Sequence, residues 1–386
     1  MVACTRVLGW ARAALGVLGC LGAVGCAGVA AQTPAQTIEA CHAKVAFFGP
    51  LTGRSEDLGM YIRNGAQLAV EGYNQQHRGC PVELLYFDTQ GDPKQAPAMA
   101  QQIVADGQII GVVGPAFSGE AETADPLLDQ AGVATITASA TETALSTRDW
   151  RTFHRIIGND SVQGPAAGRY IAKVLRAKKV FVVDDSEAYG QGLANEVIRV
   201  LDTDVVQSGT VLVGQLDFTD LVKQIRAAAP DAIFFGGYYQ QAGALLTQVR
   251  RAGVRATFVS GDAVKDEGFL HQAGRYAENA VITCPCQPPE RSGDDFAGRY
   301  RTRFGTVPGT YSAEAYDAAN VFLQGLQAGR LSRPAMTNFV SDYSGTGVTG
   351  TIRFTPAGER VASSVTVWAY RVRNGGIVAD QPIPSS

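Results

Sequence analysis

The chain has 386 residues, 46% of them hydrophobic and 18% charged, with a formal net charge of −3. That length suits a two-domain globular protein with two buried cores, and mild acidity with scattered Lys and Arg offers nucleic acid no basic footprint. The four histidines stand apart at 42, 77, 154 and 271, so no metal-ligand spacing is spelled and no cofactor is expected.

Residues 1–31 belong to another class. Arg6 and Arg12 precede the uncharged stretch "AALGVLGCLGAVGCAGVAA", the grammar of a secretory signal and too short for a membrane anchor. Two cleavage readings stay open: an ordinary cut after Val29-Ala30-Ala31, or a lipobox in "AVGC" that makes Cys26 a lipidated N-terminus. Both predict export to the periplasm, free or lipid-tethered. A short lead-in follows. Cys41 and Cys80 each sit just before an apolar strand, which neighbouring parallel strands bring together, so a structural disulfide is expected in an exported chain. "CPC" at 284–286 lacks redox C-x-x-C spacing.

From there apolar runs alternate with amphipathic ones. "KVAFFGP", "VELLYFDT", "IIGVVGP" and "VATITAS" predict buried parallel strands, and "GMYIRNGAQLAVEGYNQ", "KQAPAMAQQIVAD" and "AETADPLLDQAG" the helices between them. The pattern restarts with strands "KVFVVDD", "VVQSGTVL", "AIFFGGYY" and "ATFVSGD" and helices "GQGLANEVIRVL", "FTDLVKQIRAAA" and "QAGALLTQVRRAG". "AGV" at 131–133 returns at 252–254 in matching surroundings. The fold class is therefore α/β, with two similar doubly wound parallel-sheet lobes. The tail adds helices "DDFAGRYRTRFG" and "AEAYDAANVFLQGLQAG", then "TGTIRFTPAGER" and "SSVTVWAYRVRNGGIV", read as the two strands of a hairpin. Three crossings near 158, 286 and 350 make a hinge, with residues 41–158 and 287–350 in lobe 1 and 159–286 and 351–386 in lobe 2.

In open parallel sheets, guests gather beyond the carboxyl ends of the strands. Ser118 and the run Ser139-Ala140-Thr141 lie there in one half, and Tyr238, Tyr239 and Asp262 in the other. Each alone reads as a cap or a packing residue; facing halves make them converge. No G-x-G-x-x-G follows the first strand, and no G-x-S-x-G or P-loop is present, which disfavours an enzyme.

"GPAFSGEAETADPLLDQAGVATITASATE", "RIIGNDSVQGPAAGRYI", "DDSEAYGQGLA", "IFFGGYYQQAGALL" and "GVTGTIRFTPAGER" resemble the leucine/isoleucine/valine-binding proteins over roughly 41–375. The resemblance implies the type I periplasmic binding fold and an exported, monomeric binding component of an ABC importer. Such a protein delivers an amino acid, branched-chain or otherwise aliphatic, to an inner-membrane permease. It further implies that Ser118 and Thr141 grip the α-carboxylate, with Ser139 and Ala140 contributing backbone contacts. Asp262, where Glu is common, would meet the ammonium, Tyr189 and Tyr238 would close over the guest, and Leu58 falls near an aromatic position. Phe117 and Gln90 stand where one member has a disulfide, so rigidity is expected from Cys41–Cys80. The alternative within the same fold is a sensor of an amide or small carboxylate that signals through a partner protein.

Overall fold

The computed structural model describes residues 42–384; the leader, Cys26 and Cys41 lie outside them. The first half runs β1 (Lys44–Gly49), α1 (Glu56–Gln76), β2 (Glu83–Asp88), α2 (Ala96–Ala105), β3 (Ile109–Val113), α3 (Ser118–Gln130), β4 (Ala134–Thr137) and β5 (Phe153–Arg155). Its strands form one parallel sheet in the order β2-β1-β3-β4-β5. Successive residues of a strand face opposite ways. Accordingly, Phe47 joins Leu58, Ile62 and Phe322 on one face, while Phe48 joins Ala100, Ile103 and Leu128 on the other. A sheet covered on both faces needs continuously apolar central strands, and β3 is buried throughout.

The second half continues with α4 (Asp160–Arg169), β6 (Val180–Asp184), α5 (Ala188–Leu201), β7 (Val205–Thr210), α6 (Thr219–Ala228), β8 (Ala232–Gly236), α7 (Tyr239–Arg251), β9 (Thr257–Ser260), α8 (Glu267–Ala273) and β10 (Val281–Cys284). Its parallel strands are ordered β7-β6-β8-β9-β10, the same winding as the first sheet. The chain then returns with α9 (Phe296–Phe304), α10 (Ser312–Gln327), α11 (Arg333–Ser341) and a small hairpin of β11 (Ser344–Gly347) and β12 (Gly350–Arg353). Finally β13 (Val367–Arg373) and β14 (Gly376–Ile383) extend the second sheet antiparallel from β10.

Two expectations are corrected. "VELLYFDT" is not a buried strand: β2 stands at a sheet edge, one flank open, with half-buried and exposed side chains, as does its counterpart β7 in the second sheet. Nor do the two tail segments pair with each other, because β12 pairs back to β11 while β13 pairs with β10 and β14. "TPAGE" makes its own turn, closed by bridges from Phe354 to Arg360 and from Glu359 to Arg155, so the chain stays beside β5 as far as Arg360.

Helix α10 packs along α1. At their closest approach a Cβ on Gly65 would lie 2.1 Å from the Ser312 carbonyl oxygen, so only glycine lets the helix start come this near. Gly65→Val is expected to cost about 1–3 kcal/mol through forced separation, read as a lower denaturant midpoint with an unchanged slope. Cys80 is disulfide-bonded, although its expected partner Cys41 is outside the described residues. Cys284 and Cys286, both buried, form a disulfide with each other where the chain leaves β10. Among the described residues no helix is long and apolar enough to cross a membrane.

Candidate functional site

Both sheets end toward a common cleft. On the first-sheet side, Ser118 opens α3 and Thr141 follows β4. The two loops are laced together. The Thr137 hydroxyl donates to the Pro115 carbonyl (2.7 Å) and accepts from the Ala140 amide (2.9 Å), Ser139 Oγ donates to the Ala116 carbonyl (2.6 Å), and Ser118 Oγ accepts from the Glu142 amide (3.2 Å). The α3 start is fixed further by buried Glu120, which accepts from the Phe117 amide (3.0 Å) and from the Thr89 hydroxyl. Burial pushes the Glu120 carboxyl up to about 7 against those bonds. Ser139 and Ala140 thus spend the Ser139 hydroxyl and the Ala140 amide inside the loop. Thr141 Oγ1, fully buried, has no hydrogen-bond partner among the described residues.

On the other side, Asp262 follows β9 and is fully buried. Its carboxylate accepts from Tyr189 Oη (2.8 Å) and Tyr311 Oη (2.6 Å). Burial raises the Asp262 pKa, and the bonds from Tyr311, Tyr189 and Gln163 pull it back. Both tyrosines are raised well above their ordinary range, first by burial and then by the Asp262 charge. Tyr311 precedes α10, which lies against the first sheet's helices, so its hydroxyl ties the two halves together. Tyr239 does the same at the rim, donating to the Arg54 carbonyl (3.0 Å). The Tyr238 ring sits 5.0 Å from Phe117 across the cleft and 5.5 Å from Tyr189. Leu58, in the first turn of α1, is buried in the core.

Asp160, the first residue of α4, was missed from the sequence. Its amide donates to the Thr141 carbonyl (2.8 Å), and neither carboxylate oxygen, though buried, has a hydrogen-bond partner among the described residues. Burial and then the charge of Asp262 push its pKa well up. Gln163 Oε1, one turn on, is also buried without a partner, while its Nε2 donates to the Thr283 carbonyl (2.8 Å). The structure therefore joins Thr141, Asp160, Gln163, Asp262 and Tyr189 into one buried, acceptor-rich cluster. Buried acceptors left unpaired are costly unless a guest supplies donors. Among the described residues no group of three His, Cys, Asp or Glu is placed to hold a metal ion.

Outside the Phe117–Tyr238 pair lies a cavity of about 240 Å³ between the halves, walled by Val213 and Leu216 and rimmed by Arg54, Glu187 and Gln240. Tyr238 is the one predicted site residue in its lining.

Two like-wound lobes shut over polar groups from both define a binding protein of the type I periplasmic fold. The chain belongs to the periplasmic binding protein family, whose profile matches residues 42–376, and is a solute-binding protein rather than an enzyme. The leucine-, isoleucine-, valine-, threonine- and alanine-binding protein of Pseudomonas aeruginosa is 31% identical over 292 residues, 74% of this chain and 78% of its own length. The Leu/Ile/Val-binding protein of Escherichia coli is 32% identical over 247 residues, 63% of this chain and 67% of its own. The branched-chain amino acid transporter substrate-binding protein of Streptococcus pneumoniae, solved with isoleucine, superposes with a TM-score of 0.80 at 26% identity, covering 88% of this chain and 99% of that one.

Proposed function

We propose that this protein captures an amino acid, branched-chain or otherwise aliphatic, between its lobes in the periplasm and delivers it to an inner-membrane ABC permease. The observation that carries this is the buried cluster around Asp262. A buried carboxylate held by Tyr189 and Tyr311, beside the buried Asp160, makes no ion pair with any described residue. An α-ammonium supplies one. Facing it, Ser118 opens a helix of 13 residues, whose free N-terminal amides and dipole favour the α-carboxylate. The names of the relatives support the same ligand class.

A guest touching both halves favours the shut form, which a permease can distinguish from the open one. A thermal-shift screen of the common amino acids tests the reading. Leucine, isoleucine or valine is expected to raise the melting temperature and to be recovered chemically unchanged; no shift with any amino acid overturns it. Replacing Ser118 by Ala together with Thr141 by Val removes two charge-assisted contacts worth roughly 1.5–3 kcal/mol each. Isothermal titration is expected to show a loss of at least about a hundredfold in affinity, with the melting temperature of the ligand-free protein nearly unchanged.

A further inference from the structure

We infer that the Cys284–Cys286 disulfide is a reversible redox-modification site that sets the affinity of the cleft, the oxidised protein holding its guest more tightly than the reduced one. This rests on the amino-acid reading of the cleft.

Chain separation is the first reason. The bond joins residues only two apart, and the restraint a disulfide places on the unfolded chain grows with the loop it closes. So small a loop contributes little to holding the fold. What the bond does fix is the backbone of Cys284, Pro285 and Cys286, a step between two rigid elements. Cys284 ends β10 in the second sheet, opposite Trp368 of β13. Just past the bond, the Gln287 amide donates to Glu314 Oε1 (3.1 Å) on α10, which packs on α1, β3 and β4 of the first half. The disulfide therefore stiffens a passage from one half to the other, and short segments at element ends are where lobe closure is absorbed.

Position is the second. Pro285 meets the segment running from β5 into α4 and the segment running from Arg360 into β13. A Cβ on Gly158 would lie 3.1 Å from Pro285 Cβ and 2.6 Å from Val365 Cγ1. Beside this contact is a cavity of about 30 Å³ walled by Gly158, Pro285, Glu314 and Arg360, so the junction has some slack to rearrange.

Contacts also run from the bond to the site. The Tyr370 hydroxyl donates to the Cys286 carbonyl (3.1 Å), Lys265 Nζ lies 4.6 Å from the centre of the Tyr370 ring, and the Lys265 amide donates to the Asp262 carbonyl (2.9 Å). The Lys265 carbonyl accepts from the hydroxyl of Thr310, the neighbour of Tyr311, whose own hydroxyl is on Asp262. This shut arrangement contains the closed bond. Opening the bond frees the passage and disfavours the arrangement that grips the guest.

The exchange partner is a dithiol of the C-x-x-C oxidoreductase class. Its thiolate attacks one cysteine sulfur, forming a mixed disulfide and releasing the other sulfur as a thiolate that takes a proton. Its second thiol then displaces the attacked cysteine, so two electrons and two protons reach Cys284 and Cys286 and the partner leaves as a disulfide. Both cysteines are buried in the shut form, so attack follows opening, which a bound guest opposes. By linkage, the factor that the bond adds to ligand affinity is the factor that the ligand adds to the bond's resistance to reduction.

Titration calorimetry with leucine, before and after reduction by dithiothreitol, tests this. Reduction is expected to weaken leucine roughly three- to tenfold. Cys284→Ser combined with Cys286→Ser is expected to match the reduced protein and to ignore dithiothreitol, which separates this bond from the one at Cys80. Saturating leucine is expected to shift the dithiothreitol equilibrium of the pair, read by thiol alkylation and mass spectrometry, by the same factor; tenfold corresponds to about 30 mV. Equal leucine affinity in the oxidised, reduced and double-serine proteins overturns the redox role and leaves the cleft reading intact. So does tighter binding after reduction, or a bond that excess dithiothreitol leaves closed in the ligand-free protein. If no amino acid binds in any of these states, the cleft reading fails and the redox role falls with it.

Discussion

Asp262→Asn is expected to weaken amino-acid binding at least about a hundredfold while the ligand-free protein melts within a few degrees of wild type. Asparagine has the same shape. Its carbonyl oxygen keeps one tyrosine donor, and its amide can donate to the other hydroxyl, so Tyr189 and Tyr311 stay paired. What disappears is the charge. Contact between an ammonium and a carboxylate 4 Å apart is worth about 4 kcal/mol at an effective dielectric near 20, and about 3 kcal/mol suffices for a hundredfold change. The pH profile gives an independent sign. Asp262 and Asp160 are both raised above the ordinary 3.8, chiefly by burial, and only their ionised forms hold an ammonium. Affinity is therefore expected to fall on acidification, beginning above the range of a free aspartate, and Asp262→Asn is expected to flatten that fall. An unchanged Kd in the variant, measured by calorimetry at neutral pH, would remove Asp262 from the ammonium role.

The architecture was legible because periodicity and repetition are local. The strands and helices quoted for the two halves came out, while β5, α4, α8 and β10 were not named, and the echo of "AGV" corresponds to two sheets wound in the same order. Burial of β2 was misread because an apolar run does not say whether a strand has one neighbour or two. The tail failed for a related reason: β13 finds its partner in β10, over 80 residues upstream, and nothing local announces that pairing. Of the residues proposed for the site, Thr141, Tyr189 and Asp262 share one buried cluster with Asp160. Asp160 and Gln163 lay inside a segment read only as a crossover, where "NDSVQG" looks like an ordinary helix start. Tyr311 had no signal at all, since its reach depends on a left-handed φ of +69° and on Gly65 letting α10 approach α1. The Cys284–Cys286 pair was also invisible, because C-x-C spacing was weighed only as a redox motif.

Arg360→Met is expected to be the most destabilising single change proposed for this chain, at about 3–5 kcal/mol, although it touches no ligand. Arg360 is 7% exposed. Its guanidinium donates to the carbonyls of Ile156 (3.0 Å), Thr349 (2.9 Å) and Thr351 (2.8 and 3.1 Å) and to the hydroxyls of Thr349 (3.0 Å) and Ser364 (3.3 Å). Those acceptors belong to the end of β5, to β12 and the turn before it, and to the segment leading to β13, and its own amide donates to the Arg155 carbonyl (3.0 Å) beside them. Burial lowers its pKa, and the carboxylates of Glu314 and Asp317 counter that, so the charge is compensated while arginine is present. Methionine fills the stem but leaves the acceptors unpaired and the buried Asp317 without its cation, while Glu314 keeps only Lys265, the situation in which losing one partner costs most. Lysine would rescue little, because one ammonium cannot span acceptors arranged for a planar fork. The contrast is Arg303, whose pair with Glu71 lies at the surface, with side chains 47% and 32% exposed. Arg303→Met is expected to leave the midpoint nearly unchanged, because solvent screens an exposed pair. Denaturant melts of the two variants decide the matter: equal midpoints would mean that these segments are held by packing alone and owe nothing to this guanidinium.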